Sequence, residues 1–368
     1  MSDNKIECFK NSIMQEDVEK IVEQFPFISD LQGKNILVTG ATGLIGSQLI
    51  MTLACFNRLK AAHIKILACA RNKEKAEKMF QHLVARGDVK LIIGDVNYKL
   101  EVEDRVDYII HGASATSSKY FVSNPVETIR TAIDGTFHVL ELAKEKDVQS
   151  MVYLSSLEVY GTPSLDADMI TEKDYGYIDP VNVRSSYSEG KRMVECMCVA
   201  YANEYQVPVK MARLSQTFGP GVDYHDGRVF MEFARCALEK KNIVLHTQGR
   251  TIRTYCYVKD AVNALLYILL CGNRGEAYNV TNMHTAVSIR EMADMVCKTI
   301  GQGQIKTVID IPEDVASFGY NPEMVIRLDA AKLESLGWKA TVGLQEMFER
   351  MINVYATGDK YGKERNER

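Results

Sequence analysis

The sequence has no CxxC pair, no basic excess and no apolar run long enough to span a membrane, and each absence removes a class of function. The nine cysteines are scattered, several inside apolar stretches such as Leu67-Ala68-Cys69-Ala70. Cys196 and Cys198, two apart, point to different faces of a helix. Neither a disulfide framework nor a zinc site is expected, and a reduced, cytoplasmic chain fits. A net charge of -4 offers nothing to a phosphate backbone, so nucleic acid is not an expected partner. The longest apolar run, residues 264–271, falls well short of the roughly 20 residues of a membrane helix. The N-terminus lacks a basic segment followed by an apolar core, so no leader is expected. Prolines are few, eight in 368 residues, which leaves long stretches free to form regular structure.

What is present is an alternation of short β-prone runs and helical segments. Strands are expected at residues 35–39, 64–70, 89–93, 108–110 and 151–154, and helices at 47–57, 72–85, 125–144 and 185–204. This order calls for an α/β protein with a Rossmann-type, doubly wound parallel sheet. Residues 1–32 read as a helical N-terminal extension with Ile13, Val18, Ile21, Val22 and Phe25 on one stripe. Residues 33–215 form the dinucleotide-binding domain and 216–355 a smaller, interleaved substrate-binding region. Residues 356–368 form a charged tail.

The first strand runs directly into Gly40-Ala41-Thr42-Gly43-Leu44-Ile45-Gly46 and then into a helix. A strand that turns through glycines into a helix N-terminus presents backbone N–H groups and the positive dipole end to a diphosphate. Gly40 permits the turn, Gly43 lets the phosphates approach and Gly46 lets the helix lie close to the sheet. Thr42, Leu44 and Ile45 complete the cradle. After the second strand stands Arg71, where an NAD site normally has a carboxylate, so NAD and NADP both stay open. Arg71 reads equally well as the start of an exposed helix. Asp95 and Val96 follow the third strand and Ala113, Ser114 and Ala115 the fourth, where a cofactor crosses the strand ends. His111 reads as a structural hydrogen-bonding residue.

Tyr187 and Lys191, four apart on a helix, share one face. An ammonium near a phenol favours the phenolate, which makes Tyr187 a candidate general base. The pair alone says little, because this spacing is common. Ser156, at the end of the fifth strand, can hydrogen-bond the oxygen that Tyr187 serves.

On these residues, together with Val159-Tyr160-Gly161, Arg213, Phe218-Gly219-Pro220-Gly221, Tyr257-Val258-Lys259-Asp260, Ala277-Tyr278-Asn279-Val280 and Leu336-Gly337-Trp338, the chain resembles the extended short-chain dehydrogenase/reductases. Within them it looks like the nucleotide-sugar epimerase/dehydratase branch, over roughly residues 33–352. The resemblance implies a tightly held NAD, a nucleotide-sugar substrate oxidised transiently at C4, and a homodimer built on two helices per subunit. It assigns Tyr187 as base, Lys191 as the ribose contact that tunes it, and Ser156 as the hydroxyl partner. Glu158 to Gly161, the run from Tyr187 to Arg192, and Asp226-Gly227-Arg228-Val229 look most like UDP-glucuronate decarboxylases. On that likeness Glu158 and Glu189 sit near the reacting sugar, Gln216 stands where relatives have an asparagine that touches the nucleotide sugar, and Arg228 and Arg253 meet carboxylate or diphosphate, although either arginine also reads as a surface ion-pair partner. Leu157 stands where similar 4,6-dehydratases carry an aspartic acid, and Ala132 where many relatives carry asparagine. The implied reaction is therefore decarboxylation or C4 epimerisation. The alternatives are a 4,6-dehydratase and a non-catalytic dinucleotide-binding protein.

Overall fold

Strands covered on both faces need side chains that are apolar in succession rather than in alternation, and the run Ile36-Leu37-Val38 is buried throughout. The computed structural model describes residues 8–114, 118–164, 168–313 and 323–356. Before the first strand come α1 (Ser12–Gln24) and α2 (Ile28–Leu31). Then follow β1 (Asn35–Thr39), α3 (Leu44–Lys60), β2 (Lys65–Ala70), α4 (Lys73–Ala85), β3 (Val89–Ile93), β4 (Tyr108–His111), α5 (Ser118–Ser123), α6 (Pro125–Glu145) and β5 (Ser150–Ser156). The next elements are α7 (Ser185–Glu204), β6 (Val209–Leu214), β7 (Gln216–Phe218), α8 (Val229–Leu238), β8 (Ile243–Leu245), β9 (Ile252–Tyr257) and α9 (Val258–Cys271). The chain closes with β10 (Ala277–Val280), β11 (Asn282–Ser288), α10 (Ile289–Thr299), β12 (Thr307–Ile309), β13 (Val325–Ile326), α11 (Ala331–Glu334) and α12 (Leu344–Ala356).

The main sheet has seven strands in the order β10-β6-β5-β4-β1-β2-β3, all paired in parallel. Strand order reverses between β1 and β4, which opens a crevice at their carboxyl ends. β5 runs two residues past the expected 151–154, so Ser155 and Ser156 are strand residues, opposite Arg213 and Leu214 of β6. A single 3-10 turn, Leu157–Tyr160, follows.

The second region carries its own apolar core, in which Phe218 stacks on Phe230 with ring centroids 4.5 Å apart and Tyr255 and Phe348 close in. It is threaded through the first region. α9 packs on the main sheet, and β10 adds the strand beside β6. The sole tryptophan, Trp338, is fully buried and donates from Nε1 to the Asp260 carbonyl at 3.0 Å. The Asp260 carboxylate accepts from Thr341 Oγ1 at 2.7 Å and from Val342 N at 3.0 Å. Two stretches far apart in sequence, around Tyr257 and around Trp338, thus form one joint.

The N-terminal extension is helical. Val18, Ile21, Val22 and Phe25 of its stripe are buried, while Ile13 is half-buried. A buried carboxylate not expected from the sequence, Asp17, accepts from Tyr257 Oη at 2.6 Å and Arg350 Nη2 at 2.9 Å. That joins α1 to β9 and α12. The charged tail from residue 357 lies outside the described residues.

Candidate active site

Gly40 follows β1 with φ +69, and a Cβ there would come within 2.7 Å of the Gly112 carbonyl carbon. A Cβ on Gly46 would sit 2.3 Å from the Gly40 oxygen. The turn therefore tolerates no side chain at either place. Gly43 differs: it is exposed, and a Cβ there would meet Gly40 O at 3.2 Å and nothing else within 4 Å. It is also the N-cap of α3 and makes no side-chain cap hydrogen bond, so the first N–H groups of the helix face the crevice uncapped. Thr42 is half-buried beside them. Leu44 packs toward the second region's core and Ile45 toward the main one. This cradle fits a dinucleotide diphosphate.

At the far end of the crevice Arg71 Nη1 lies 3.8 Å from Asp95 Oδ2. Asp95 Oδ1 also accepts from Asn97 N at 3.0 Å. Val96 is buried beneath α6, where a Cβ on Gly135 would come within 2.9 Å of its Cγ2. Ala113 N donates to Thr39 Oγ1 at 3.3 Å, with Ser114 next in the loop. Ala115 lies outside the described residues. His111 is buried between Thr39 Oγ1 at 2.7 Å and Thr136 Oγ1 at 3.1 Å, and burial holds its pKa down to about 3.

Ser156, Glu158, Tyr187 and Lys191 come together where β5 ends against the first turns of α7. The Ser156 hydroxyl lies by the Tyr187 phenol, whose pKa it acts to lower, and accepts from Glu158 N at 3.2 Å. Ser188 Oγ donates to Glu158 Oε2 at 3.4 Å. Lys191 Nζ donates to the Leu154 carbonyl at 2.7 Å and lies 4.6 Å from the Tyr153 ring centroid and 5.6 Å from that of Tyr187.

The electrostatics correct one expectation. Burial pushes the Tyr187 phenol up to about 12, with Glu158 adding to the rise and Ser156 and Arg228 opposing it. Lys191, expected to depress the phenol, is itself pushed down to about 7 by burial, against the pull of Glu195 and Cys198. The physical reason is that its ammonium is spent on a backbone carbonyl rather than directed at the phenol oxygen. A second cause is Phe121 of α5, whose ring lies flat on Tyr187 at 4.2 Å with the planes 7° apart. No motif marks Phe121, and the sequence reading missed it.

The substrate-side residues separate. Gln216 opens β7 beside Tyr255 of β9. Arg253, two residues earlier on β9, has a buried Nη1 without a hydrogen-bond partner among the described residues, and its Nη2 rests against Met324 Sδ at 3.2 Å. Arg228 is not free, since Asp226 takes its Nε at 3.0 Å and its Nη2 at 2.6 Å. Glu189 does not join Tyr187: two residues along a helix turn the side chain by about 200°. It lines an outer groove with Pro125, Ile129, Val183 and Met193. Leu157 is buried and supplies no acid. Ala132 lies where α6 meets α7, 3.3 Å from a Cβ built on Gly190. Among the described residues no cluster of His, Cys, Asp and Glu could hold a metal ion.

The model of the NAD dependent epimerase/dehydratase family matches residues 36–281. UDP-glucuronic acid decarboxylase 1 of Xenopus tropicalis is 31% identical over 330 residues, covering 89% of this chain and 74% of that protein. UDP-glucuronic acid decarboxylase 6 of Arabidopsis thaliana is 33% identical over 312 residues, covering 84% and 85%. Among solved structures, UDP-glucuronic acid 4-epimerase from Bacillus cereus, in complex with UDP-glucuronic acid and NAD, superposes with a TM-score of 0.71 at 20% identity, covering 88% of this chain and 99% of that one. A dTDP-glucose 4,6-dehydratase from Bacillus anthracis in complex with NAD gives a TM-score of 0.72 at 20% identity, covering 90% and 99%.

Proposed function

Because this chain belongs to the NAD dependent epimerase/dehydratase family, we propose that it decarboxylates a nucleotide-linked hexuronic acid, of the UDP-glucuronate type, through a transient ketone at C4. The observation that carries this reading is the Arg253 guanidinium, whose buried Nη1 has no hydrogen-bond partner among the described residues, in a chain that also brings Ser156, Tyr187 and Lys191 together. A planar guanidinium meets a carboxylate bidentately, and leaving one of its buried donors unpaired is costly unless a ligand fills the place. The decarboxylase relatives point the same way.

The cradle of Gly40, Gly43 and Gly46 with the α3 N-terminus would hold the diphosphate of NAD, and Lys191 would hold its ribose. When bound, NAD supplies the acceptor and then the donor of a hydride. Tyr187 exchanges the proton of the sugar C4 hydroxyl while Ser156 holds the same oxygen in place. Once C4 is a ketone, the carboxylate on C5 lies β to it. The C5–carboxylate bond breaks, its electron pair passes into the C4 enolate, carbon dioxide leaves, and C5 takes a proton. Glu158, held by Ser188, stands beside this site as a candidate for that proton. The buried apolar Leu157 offers no acid to a departing hydroxyl, which disfavours 4,6-dehydration.

Assembly as a homodimer through α6 and α7 is supported by the apolar residues these helices leave exposed, Val126, Ile129, Phe137, Met193 and Val199. A cytoplasmic location fits nine unbridged thiols. Among the described residues no helix is long and apolar enough to cross a membrane. The test is mass spectrometry of purified protein incubated with UDP-, dTDP-, GDP- and CDP-sugars, UDP-glucuronate included, beside Tyr187→Phe. Loss of carbon dioxide from a uronate, abolished in the variant, is the expected result. An isomer of unchanged mass would replace decarboxylation by C4 epimerisation, and no turnover of any sugar would leave a dinucleotide-binding protein.

A further inference from the structure

Beneath the reacting residues lies a buried ion pair with an unusually complete set of partners. Glu195 sits one helical turn after Lys191 and two after Tyr187, hence on the same face of α7, and is 7% exposed. Its carboxylate accepts from Ser155 Oγ at 2.6 Å, from Arg213 Nε at 3.0 Å and from Arg213 Nη2 at 2.7 Å. Arg213, on β6 directly opposite Ser155, is 1% exposed. It spends its remaining donors on the segment that follows β5: Nη1 on Tyr160 Oη at 3.0 Å and the Glu172 carbonyl at 2.9 Å, and Nη2 on Tyr175 Oη at 2.8 Å. Tyr160 Oη in turn donates to Asn279 Oδ1 at 2.6 Å. Every N–H of the guanidinium is therefore engaged.

A buried ion pair adds little net stability compared with well-packed apolar residues, so its placement invites a functional account. We propose that Glu195, pinned by Arg213, is a positioning residue for the proton-transfer site: it fixes Ser155, and through it Ser156, and sets an anion one helical turn from the Lys191 ammonium. This rests on the roles given above to Ser156, Tyr187 and Lys191. The groups that face Lys191 are Tyr187, Glu195 and Cys198 on α7, Tyr153 on β5 and His111 on β4. Burial drives the ammonium toward losing its proton, and of these groups Glu195 opposes it most. Removing that charge lowers the pH at which Lys191 becomes neutral.

Two measurements on the same samples test this: the pH dependence of kcat/KM, and the pH dependence of Lys191 acetylation by acetic anhydride, read by peptide mass spectrometry. Glu195→Gln keeps an acceptor for Ser155 and loses the charge. Both the alkaline limb of activity and the acetylation midpoint should move acidward by about one pH unit. Ser155→Ala keeps the ion pair and decides the case if Glu195→Gln does not fold. It should lower kcat about tenfold at unchanged KM and leave the Lys191 midpoint alone, and Ser155→Thr should restore kcat. A wild-type acetylation midpoint in Glu195→Gln, or wild-type turnover in Ser155→Ala, overturns the proposal. If the wild-type protein turns over no nucleotide sugar, the functional reading fails while the acetylation midpoint still decides the role of Glu195.

Discussion

Lys191 should be a residue that the fold would be more stable without. Its ordinary pKa of 10.5 is driven down to about 7 by burial. At about 1.4 kcal/mol per pH unit, that difference corresponds to roughly 5 kcal/mol of penalty on the charged form. Local relaxation and water penetration reduce the figure, and losing the hydrogen bond to the Leu154 carbonyl costs about 1 kcal/mol more. Lys191→Met, close in volume and neutral, should therefore gain about 2 kcal/mol of unfolding free energy at pH 6 while losing turnover. The pH dependence carries a sign. Between about 7 and 10.5 the unfolded chain holds the proton and the folded chain does not, so wild-type stability rises with pH through that window. The advantage of the variant is thus greatest at and below pH 7 and fades by pH 9. Urea unfolding at pH 6 and pH 9, with cofactor occupancy measured in each sample, reads both values. A variant less stable than wild type by the same amount at both pH values refutes the reasoning.

Gly46→Ala places a Cβ 2.3 Å from the Gly40 oxygen, so the turn must open and cofactor affinity should fall at least about tenfold, as read by cofactor titration of the folded protein. Unchanged affinity would contradict the cradle. Arg253→Gln should raise KM for a uronate by about 10- to 100-fold, the value of a lost charged hydrogen bond of ~1.5–3 kcal/mol, and leave a neutral nucleotide sugar nearly untouched. Equal effects on both would remove the carboxylate role. Phe121→Ala uncovers the Tyr187 phenol and should move the acid limb of the pH–rate profile acidward by about one unit, while an unmoved limb would confine Phe121 to packing.

Five of the seven strands of the main sheet, β1 to β5, were legible because they are short, largely apolar runs that end at a glycine or small residue, with helices of three or more turns between all but β3 and β4; β6, which carries Lys210 and Arg213, and the four-residue β10 were not. The glycine turn and the Ser156–Tyr187–Lys191 grouping were legible for a related reason: strand ends and a four-residue helical spacing place side chains without reference to distant residues. The rest depends on partners far along the chain. β7, β12 and β13 are two or three residues long and exist through pairing with β9 or β8. Arg228 reads equally as a ligand contact or an ion-pair partner until the turn that precedes α8 folds Asp226 back onto it. Glu189 parts from the placement the resemblance implies for a local reason, since two residues along the helix turn its side chain about 200° from Tyr187 and into the outer groove. The pKa values could not be read at all. Whether Lys191 lowers Tyr187 or burial raises both depends on where the ammonium hydrogen-bonds and on what covers the ring, and the short helix carrying Phe121 has no pattern to reveal it.

The central claim is that this site oxidises its sugar at C4 and then returns the same hydride. Single-turnover reaction with a nucleotide-linked uronate carrying deuterium at C4 tests it most directly. The account predicts a primary isotope effect on product formation, with the deuterium retained in the decarboxylated product and both lost with turnover in Tyr187→Phe. Product formed at the full rate from deuterated substrate, and at wild-type rate by Tyr187→Phe, would contradict it.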